Sequence, residues 1–92
     1  MSHWNYRIIK KDIQKGSQTE TTYGIYEVYY KKDKPYLWTE QPQAIYAESI
    51  EQLRESIFWQ IFAFNKPILE EYTDKKGKLR LREVEKWVKQ SQ

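Results

Sequence analysis

The chain contains 92 residues, which is enough for one domain with one core and too few for two. Four Trp, eight Tyr and three Phe exclude a disordered chain, since disordered chains are poor in aromatic residues. There is no cysteine, which excludes disulfide and thiolate chemistry. The net charge of +3 is modest, and its basic excess lies in residues 72–92. We expect a single domain over residues 1–92, with a frayed end at 1–3 and a basic helical segment at 72–92.

The N-terminal sequence and the hydropathy pattern bear on location. Residues 1–12 contain no apolar run of signal-peptide length. No apolar segment approaches the ~20 residues that a membrane-spanning helix needs. We therefore expect a cytoplasmic protein with no membrane partner.

The first part of the chain has the composition of β-strands. Residues 4–11 alternate well enough to predict a first strand. Residues 23–31 are β-branched and aromatic, with alternate residues such as Tyr26 and Val28 on one face, and predict a central strand. The polar stretch 12–22 between them is predicted to be an exposed hairpin loop.

A charged turn and a proline organise the next segment. Residues 31–35 are predicted to turn, and the residues that follow, through Glu40, predict a third strand. Pro42 interrupts that strand because proline donates no hydrogen bond to a ladder. Residues 43–47 then either continue it after a bulge or form a separate edge segment.

Ser49 is predicted to begin the first helix, since Ser49 and Gln52 have the spacing of a capping box. Asn65 and Pro67 are expected to end it. An apolar stripe at helical spacing is predicted to lie on the sheet. That stripe consists of Ile50, Leu53, Ile57, Ile61 and Phe64.

The remaining residues predict one more strand and one more helix. Residues 67–71 suit a fourth strand, 74–77 a turn, and 80–90 a second amphipathic helix. The apolar side of this helix would consist of Leu81, Val84, Trp87 and Val88. The order β-β-β-α-β-α predicts an α+β fold, with a mainly antiparallel sheet and the helices packed on one face.

Side chains that could carry out a reaction are few. His3 is the only histidine and lies in the frayed end, so neither a metal cluster nor a Ser–His pair can be drawn. No glycine-rich phosphate or dinucleotide motif is present. Acidic groups such as Glu51 and Glu55 are explained by the dipole of the helix they begin. We predict a non-enzymatic protein without catalytic residues, metal or cofactor. An enzyme acting through carboxylates would need a deep pocket with at least one acid of raised pKa.

The first helix carries more apolar surface than one sheet contact requires, because Phe58, Trp59 and Phe62 widen its apolar arc. Two explanations remain open. Either the second helix packs over these rings, with Trp87 and Val88 as partners, or the rings form an exposed patch for a dimer mate or another protein. We predict a protein-interaction module, homodimeric or bound to a different protein, with these three rings as partner-binding residues. The aromatic sheet is a second candidate surface.

The runner-up prediction is a nucleic-acid-binding protein that uses the basic C-terminal segment. Its candidate residues are Lys75, Lys76, Lys78, Arg80 and Arg82. RNA recognition by the aromatic strand is matched less well, because Ile25 and Glu27 stand at the stacking positions and an acidic group there repels phosphate.

Several segments together resemble a group of small uncharacterised bacterial proteins that are frequent in cyanobacteria and proteobacteria. The segments are WNYRI, YGIYEVYY, WTEQP, AESIEQL and NKPIL, within residues 4–69. This resemblance implies no assigned activity.

A looser similarity is to the HicB-like antitoxins, whose core is three strands, a helix with a Thr or Ser cap, and a short strand. Residues 47–53 stand where that family begins its helix, whereas residues 39–42 replace the family's Pro-Asp-Leu-Pro-Gly turn. No ribbon-helix-helix or helix-turn-helix segment follows. The similarity therefore implies a fold rather than operator binding.

Overall fold

A computed structural model describes residues 3–85. Its elements, in chain order, are β1 (His3–Lys15), β2 (Gln18–Lys31), β3 (Lys34–Trp38), α1 (Ile50–Ile61), a 3₁₀ helix (Phe62–Asn65), β4 (Ile68–Thr73) and β5 (Leu79–Glu85). The strands form one sheet in the order β3-β2-β1-β4-β5. All neighbours are antiparallel except β1 and β4, which are parallel. The α+β fold with a mainly antiparallel sheet is therefore confirmed.

The sheet is rolled rather than flat. β3 and β5 lie at opposite edges of the strand order and nevertheless contact each other. A hydrogen bond joins the two sides, from Trp38 Nε1 in β3 to Glu71 Oε2 in β4 at 2.7 Å. The right-handed twist of long strands favours such curvature. The result is a concave face, turned inward, and a convex face, which carries α1.

Alternation along the strands divides the apolar side chains between these two faces. The concave face holds the larger cluster, in which Ile9, Val28 and Leu69 are almost completely buried. Its other members are Tyr26, Tyr30 and Leu81, with Trp38 packed against them. The convex face holds a smaller cluster of Ile8, Ile68 and Ala63, the last contributed by the 3₁₀ helix.

A buried arginine connects the concave face to the end of the helical segment. Arg7 is only 6% exposed, and it donates from Nη1 to the Tyr30 hydroxyl at 2.8 Å and from Nη2 to the Pro67 carbonyl oxygen at 2.7 Å. The Tyr30 hydroxyl donates in turn to Asn5 Oδ1 at 2.8 Å. The Glu83 carboxylate lies 3.8 Å from Arg7 Nη2. Because Pro67 separates the 3₁₀ helix from β4, this network fixes the helix position relative to the sheet.

Gly24 is required by the segment that follows β3. The N–H groups of Thr39 and Gln43 donate to β2 carbonyl oxygens at 3.0 and 2.8 Å, so the chain stays alongside β2. A Cβ atom on Gly24 would lie 3.0 Å from the Pro42 Cβ. This close approach explains a glycine in the middle of an aromatic strand. Both alternatives predicted for residues 43–47, a continuation of the third strand and a separate edge segment, are wrong, since these residues adopt no strand.

The predicted loop at 12–22 is also wrong over most of its length. Pairing of β1 with β2 continues to Lys15 opposite Gln18, and Gly16, with a φ of 62°, helps make the turn. Polar side chains bond across the two strands, for example the Thr21 hydroxyl to Asp12 Oδ1 at 2.8 Å. Such cross-strand pairs stabilise a hairpin whose composition is that of a loop.

The predicted second helix at 80–90 is wrong where the structure describes it, because residues up to Glu85 belong to β5. Leu81 is buried while Arg80 and Arg82 on either side of it are exposed, which is the period of a strand. Residues 86–90, including the predicted contacts Trp87 and Val88, lie outside the described residues.

Candidate functional site

The start of α1 is set by a serine cap. Ser49 has extended backbone angles, φ −142° and ψ 162°, and its hydroxyl accepts the Gln52 N–H at 3.1 Å. This satisfies one of the backbone donors left unpaired at a helix N-terminus, and the predicted cap is confirmed. The helix ends at Ile61 and tightens into the 3₁₀ helix before Pro67.

The face of α1 that packs on the sheet is small and polar. Gln60 is 5% exposed and Ala63 is completely buried, whereas Ile57 and Ile61 of the predicted stripe are 43% and 56% exposed. The Gln60 side-chain amide donates to Ser56 Oγ at 2.9 Å, which partly compensates its burial. The stripe prediction is therefore wrong for Ile50, Ile57, Ile61 and Phe64, which are exposed, whereas Leu53 is half-buried. The inward positions run through Ser56, Gln60 and Ala63, which are also at helical spacing.

Phe58, Trp59 and Phe62 form an aromatic patch on the outer side of the helical segment. These rings are 54%, 54% and 41% exposed, respectively. The ring centroids are 5.5 Å apart for Phe58 and Trp59, 5.2 Å for Phe58 and Phe62, and 5.8 Å for Trp59 and Phe62. The structure thus brings the three predicted partner-binding residues into one cluster and leaves each ring about half exposed.

A groove of about 800 Å³ lies beside the patch, between α1 and the start of β1. Trp59 and Phe62 contribute to its helical wall. The opposite wall includes Trp4 and Tyr6, whose rings meet edge to face with centroids 5.2 Å apart. The complete lining is Trp4, Asn5, Tyr6, Gln52, Glu55, Ser56, Trp59, Phe62 and Lys66.

Sequence reasoning missed the β1 side of this groove. The alternation in residues 4–11 predicts the strand β1, but it does not indicate where the face that carries Trp4, Tyr6 and Ile8 becomes exposed. Ile8 is 5% exposed, whereas Trp4, nearer the strand start, is 48% exposed. The aromatic residues at the start of the strand were the only signal for this wall of the groove.

The tyrosines near the groove are held in their neutral form. Burial raises the pKa of Tyr6, and the neighbouring Glu27 carboxylate raises it further. The Tyr29 hydroxyl donates to Glu27 Oε1 at 2.6 Å, and this hydrogen bond raises the pKa of Tyr29. Gln43 Nε2 donates to the second oxygen of Glu27 at 2.9 Å. Tyr6, like an unperturbed tyrosine, is neutral at pH 7, so it presents a phenol ring to the groove.

The basic candidates lie on the β4–β5 hairpin, away from the helix. Arg80 is hydrogen-bonded to the Asp74 carboxylate, and Arg82 Nη2 lies 3.1 Å from Glu70 Oε1. The Arg82 guanidinium also lies over the Tyr72 ring, 4.8 Å from its centroid. Lys75, Lys76 and Lys78 are exposed at the hairpin turn. Two of the five predicted phosphate-binding groups are thus paired with carboxylates.

Residues 3–85 contain neither a cluster of metal-ligating side chains nor a membrane-spanning helix. In that range, no three His, Asp or Glu side chains are grouped so that they could hold a metal ion. No helix within it is both long and apolar enough to cross a membrane.

Comparison with protein-family models, with curated proteins and with solved structures returns no match for this chain. The two resemblances described above therefore stay predictions.

Proposed function

We propose that this chain is a non-catalytic, cytoplasmic protein-interaction module that binds another protein through the aromatic patch and the groove beside it. One observation carries this proposal: the helical segment buries a polar side chain against the sheet and exposes its aromatic side chains. Gln60 is buried against the sheet, whereas Phe58, Trp59 and Phe62 point outward. A cluster of exposed aromatic rings beside a groove is an apolar surface of the kind that marks an interaction site.

The chemistry of the patch suits a protein partner. Trp and Phe bury a large area at a small cost in side-chain entropy, and they are common among the residues that dominate binding energy. Phe58 already packs edge to face against both Trp59 and Phe62, so little ordering remains to be done when a partner binds. The groove adds amide, hydroxyl and charged groups around the rings, the polar rim that protein interfaces have.

The nucleic-acid alternative has weaker support. Arg80 and Arg82 already have carboxylate partners within the β4–β5 hairpin. Phosphate would have to displace those carboxylates or rely on the three lysines of the turn. Affinity that depends on phosphate contacts falls steeply as salt rises, so the two functions predict different salt dependence.

The test places a photo-crosslinking residue at position 58 and, as a matched control, at position 36. Phe58 on α1 and Tyr36 on β3 are 54% and 49% exposed, so both sites are similarly accessible. Any protein joined at position 58 in the source cell, including a second copy of this chain, is identified by mass and produced separately. Its affinity is then measured for the wild-type chain and for the Phe58→Asp and Tyr36→Asp variants.

We expect Phe58→Asp to weaken binding by more than about 2 kcal/mol, as for other anchors of hydrophobic interfaces, and Tyr36→Asp to leave it unchanged. Binding should fall much less steeply with rising salt than binding that depends on several phosphate contacts. Equal binding by wild type and Phe58→Asp would refute the proposal. A steep loss with salt, abolished by replacing Lys75, Lys76 and Lys78 with Ala, would favour the nucleic-acid alternative.

A further inference from the structure

We infer that the partner of the aromatic patch is a second copy of this chain, with the two α1 helices packed antiparallel about a two-fold axis. The inference rests on the function proposed above and specifies the occupant of the same surface. It follows from the order of charges and rings along one side of the helical segment.

Four of the residues that line the groove form a dipolar stripe, which consists of Glu55, Trp59, Phe62 and Lys66. Glu55 precedes Trp59 by four residues, and Lys66 follows Phe62 by four. The stripe therefore has an anionic end, a central pair of rings whose centroids are 5.8 Å apart, and a cationic end. Its length is about 15–20 Å from the rise of α and 3₁₀ helices.

Such a stripe is complementary to itself when a second copy runs in the opposite direction. A two-fold axis through the centre of the ring pair places Glu55 of each copy against Lys66 of the other. The same axis stacks Trp59 and Phe62 of one copy on those of its partner. This is the requirement for an isologous interface, in which each contact occurs twice. A parallel arrangement would instead set like charges against each other.

The exposed rings supply about half of the area that a dimer of ordinary size buries on each partner. Large aromatic side chains bury about 150–250 Å² each, so four half-exposed rings, the patch and Trp4, offer roughly 300–500 Å². The polar groove lining adds to this surface. A standard interface buries about 800 Å² on each partner.

The same charges disfavour a membrane surface as the occupant. Three carboxylates, Glu48, Glu51 and Glu55, lie at or just before the first turns of α1. Anionic lipid headgroups would repel them, and an interfacial helix normally carries lysine and arginine on its polar side.

The test uses two charge reversals, Glu55→Lys and Lys66→Glu, and their mixture. In a dimer of either variant alone, two like-charge pairs replace two opposite-charge pairs. The heterodimer in a one-to-one mixture regains both opposite-charge pairs, because the new lysine of one chain meets the new glutamate of the other, and the unchanged Lys66 meets the unchanged Glu55. Matched controls are Glu20→Lys and Lys31→Glu, which change charge equally at exposed positions away from α1. Sedimentation velocity over a range of protein concentrations gives the dimer dissociation constant for each sample.

We expect the wild type and both control variants to dimerise, each reversal to weaken dimerisation at least about tenfold, and the mixture to recover near wild-type affinity. Far-ultraviolet circular dichroism of each reversal should match the wild type, and recovery in the mixture itself shows that both variants are folded.

Three results would overturn the inference. They are a wild type that stays monomeric at every concentration, reversals that dimerise as the wild type does, or a mixture as weak as its components. If the chain is a monomer that binds a different protein through position 58, that protein is the occupant, and the proposed function survives although the self-pairing does not. If the monomer instead binds phosphatidylcholine vesicles, a membrane is the occupant.

Discussion

On the concave face of the sheet, large side chains such as Ile9 and Leu69 fill the interior, and the buried tyrosine hydroxyl of Tyr30 is hydrogen-bonded. On the convex face, the helical segment touches the sheet through Gln60 and Ala63, while its large rings point outward. The free energy of burial scales with the apolar area removed from water. The concave face therefore supplies most of the folding free energy. The convex face positions a helix whose large apolar groups remain available for binding.

The largest expected effect tests this division directly. Leu69→Ala empties a site that is 2% exposed in the concave cluster, and we expect a loss of about 2–5 kcal/mol in the free energy of unfolding. The matched variant Ile61→Ala removes a similar side chain from the exposed side of α1 and should cost under about 1 kcal/mol. Urea unfolding at low protein concentration measures both. Equal losses would show that the convex helix also contributes to the core.

A smaller effect is expected from the polar network of the concave face. Tyr30→Phe removes the hydroxyl that accepts from Arg7 and donates to Asn5, both at 2.8 Å. A buried guanidinium then loses a partner, which should cost about 1–3 kcal/mol. The control Tyr23→Phe, at a position that is 56% exposed, should be neutral. A neutral Tyr30→Phe would mean that water replaces the hydroxyl and that the network does not hold the concave face together.

Substitutions in the aromatic patch, unlike those on the concave face, should weaken association more than they lower the free energy of unfolding. Trp59→Ala should lower the free energy of unfolding by at most about 1 kcal/mol in dilute solution, because the ring is half exposed, whereas a core tryptophan would cost about 3–5 kcal/mol. Partner binding or self-association should weaken by more than about 2 kcal/mol. Unfolding and sedimentation are measured on the same samples. A large loss of stability with unchanged association would place Trp59 in the core.

Local signals predicted the elements whose structure depends on near neighbours. The Ser49 cap and the alternation of β2 are readable because a hydroxyl three residues from an N–H, and a period of two, are local features. The sequence of β5 wrongly predicts a helix because Leu81 and Val84 also fit a helical spacing of three. Only pairing with β4 decides between the two, and pairing is a long-range property.

Only part of the candidate site can be predicted from the sequence, because the rest depends on long-range packing. The excess of rings on α1 was visible in the sequence, but which side of the helix faces the sheet was not. Residues 57–64 are apolar at every position except Gln60, so their pattern defines no unique inward face. The rolled sheet selects the side with Gln60 and Ala63. Trp4 and Tyr6 join the site only because β4 returns beside β1 and brings the helix over the start of that strand.

The smallest expected effect concerns the turn that closes the edge of the concave face. Asp74 Oδ1 accepts the N–H groups of Lys76 and Lys78, each at 2.9 Å, and its carboxylate binds Arg80. The hydrogen bond from Arg80 and those from the turn lower the pKa of Asp74. Its folded-state pKa thus lies below the unfolded value of about 3.9, so the carboxylate stabilises the fold above that pH.

This stabilisation is lost as the pH falls through the lowered pKa of folded Asp74. Asp74→Asn should therefore destabilise the protein at pH 7 and make little difference in strong acid, where the wild-type carboxyl is protonated too. The unfolding midpoints of wild type and variant, followed across that range, should converge on acidification. Glu20→Gln, at an exposed ladder position of the β1–β2 hairpin opposite Ile13, serves as the control for a general loss of negative charge. Parallel pH profiles for Asp74→Asn and wild type would show that the turn, and with it the pairing that buries Leu81, does not depend on this carboxylate.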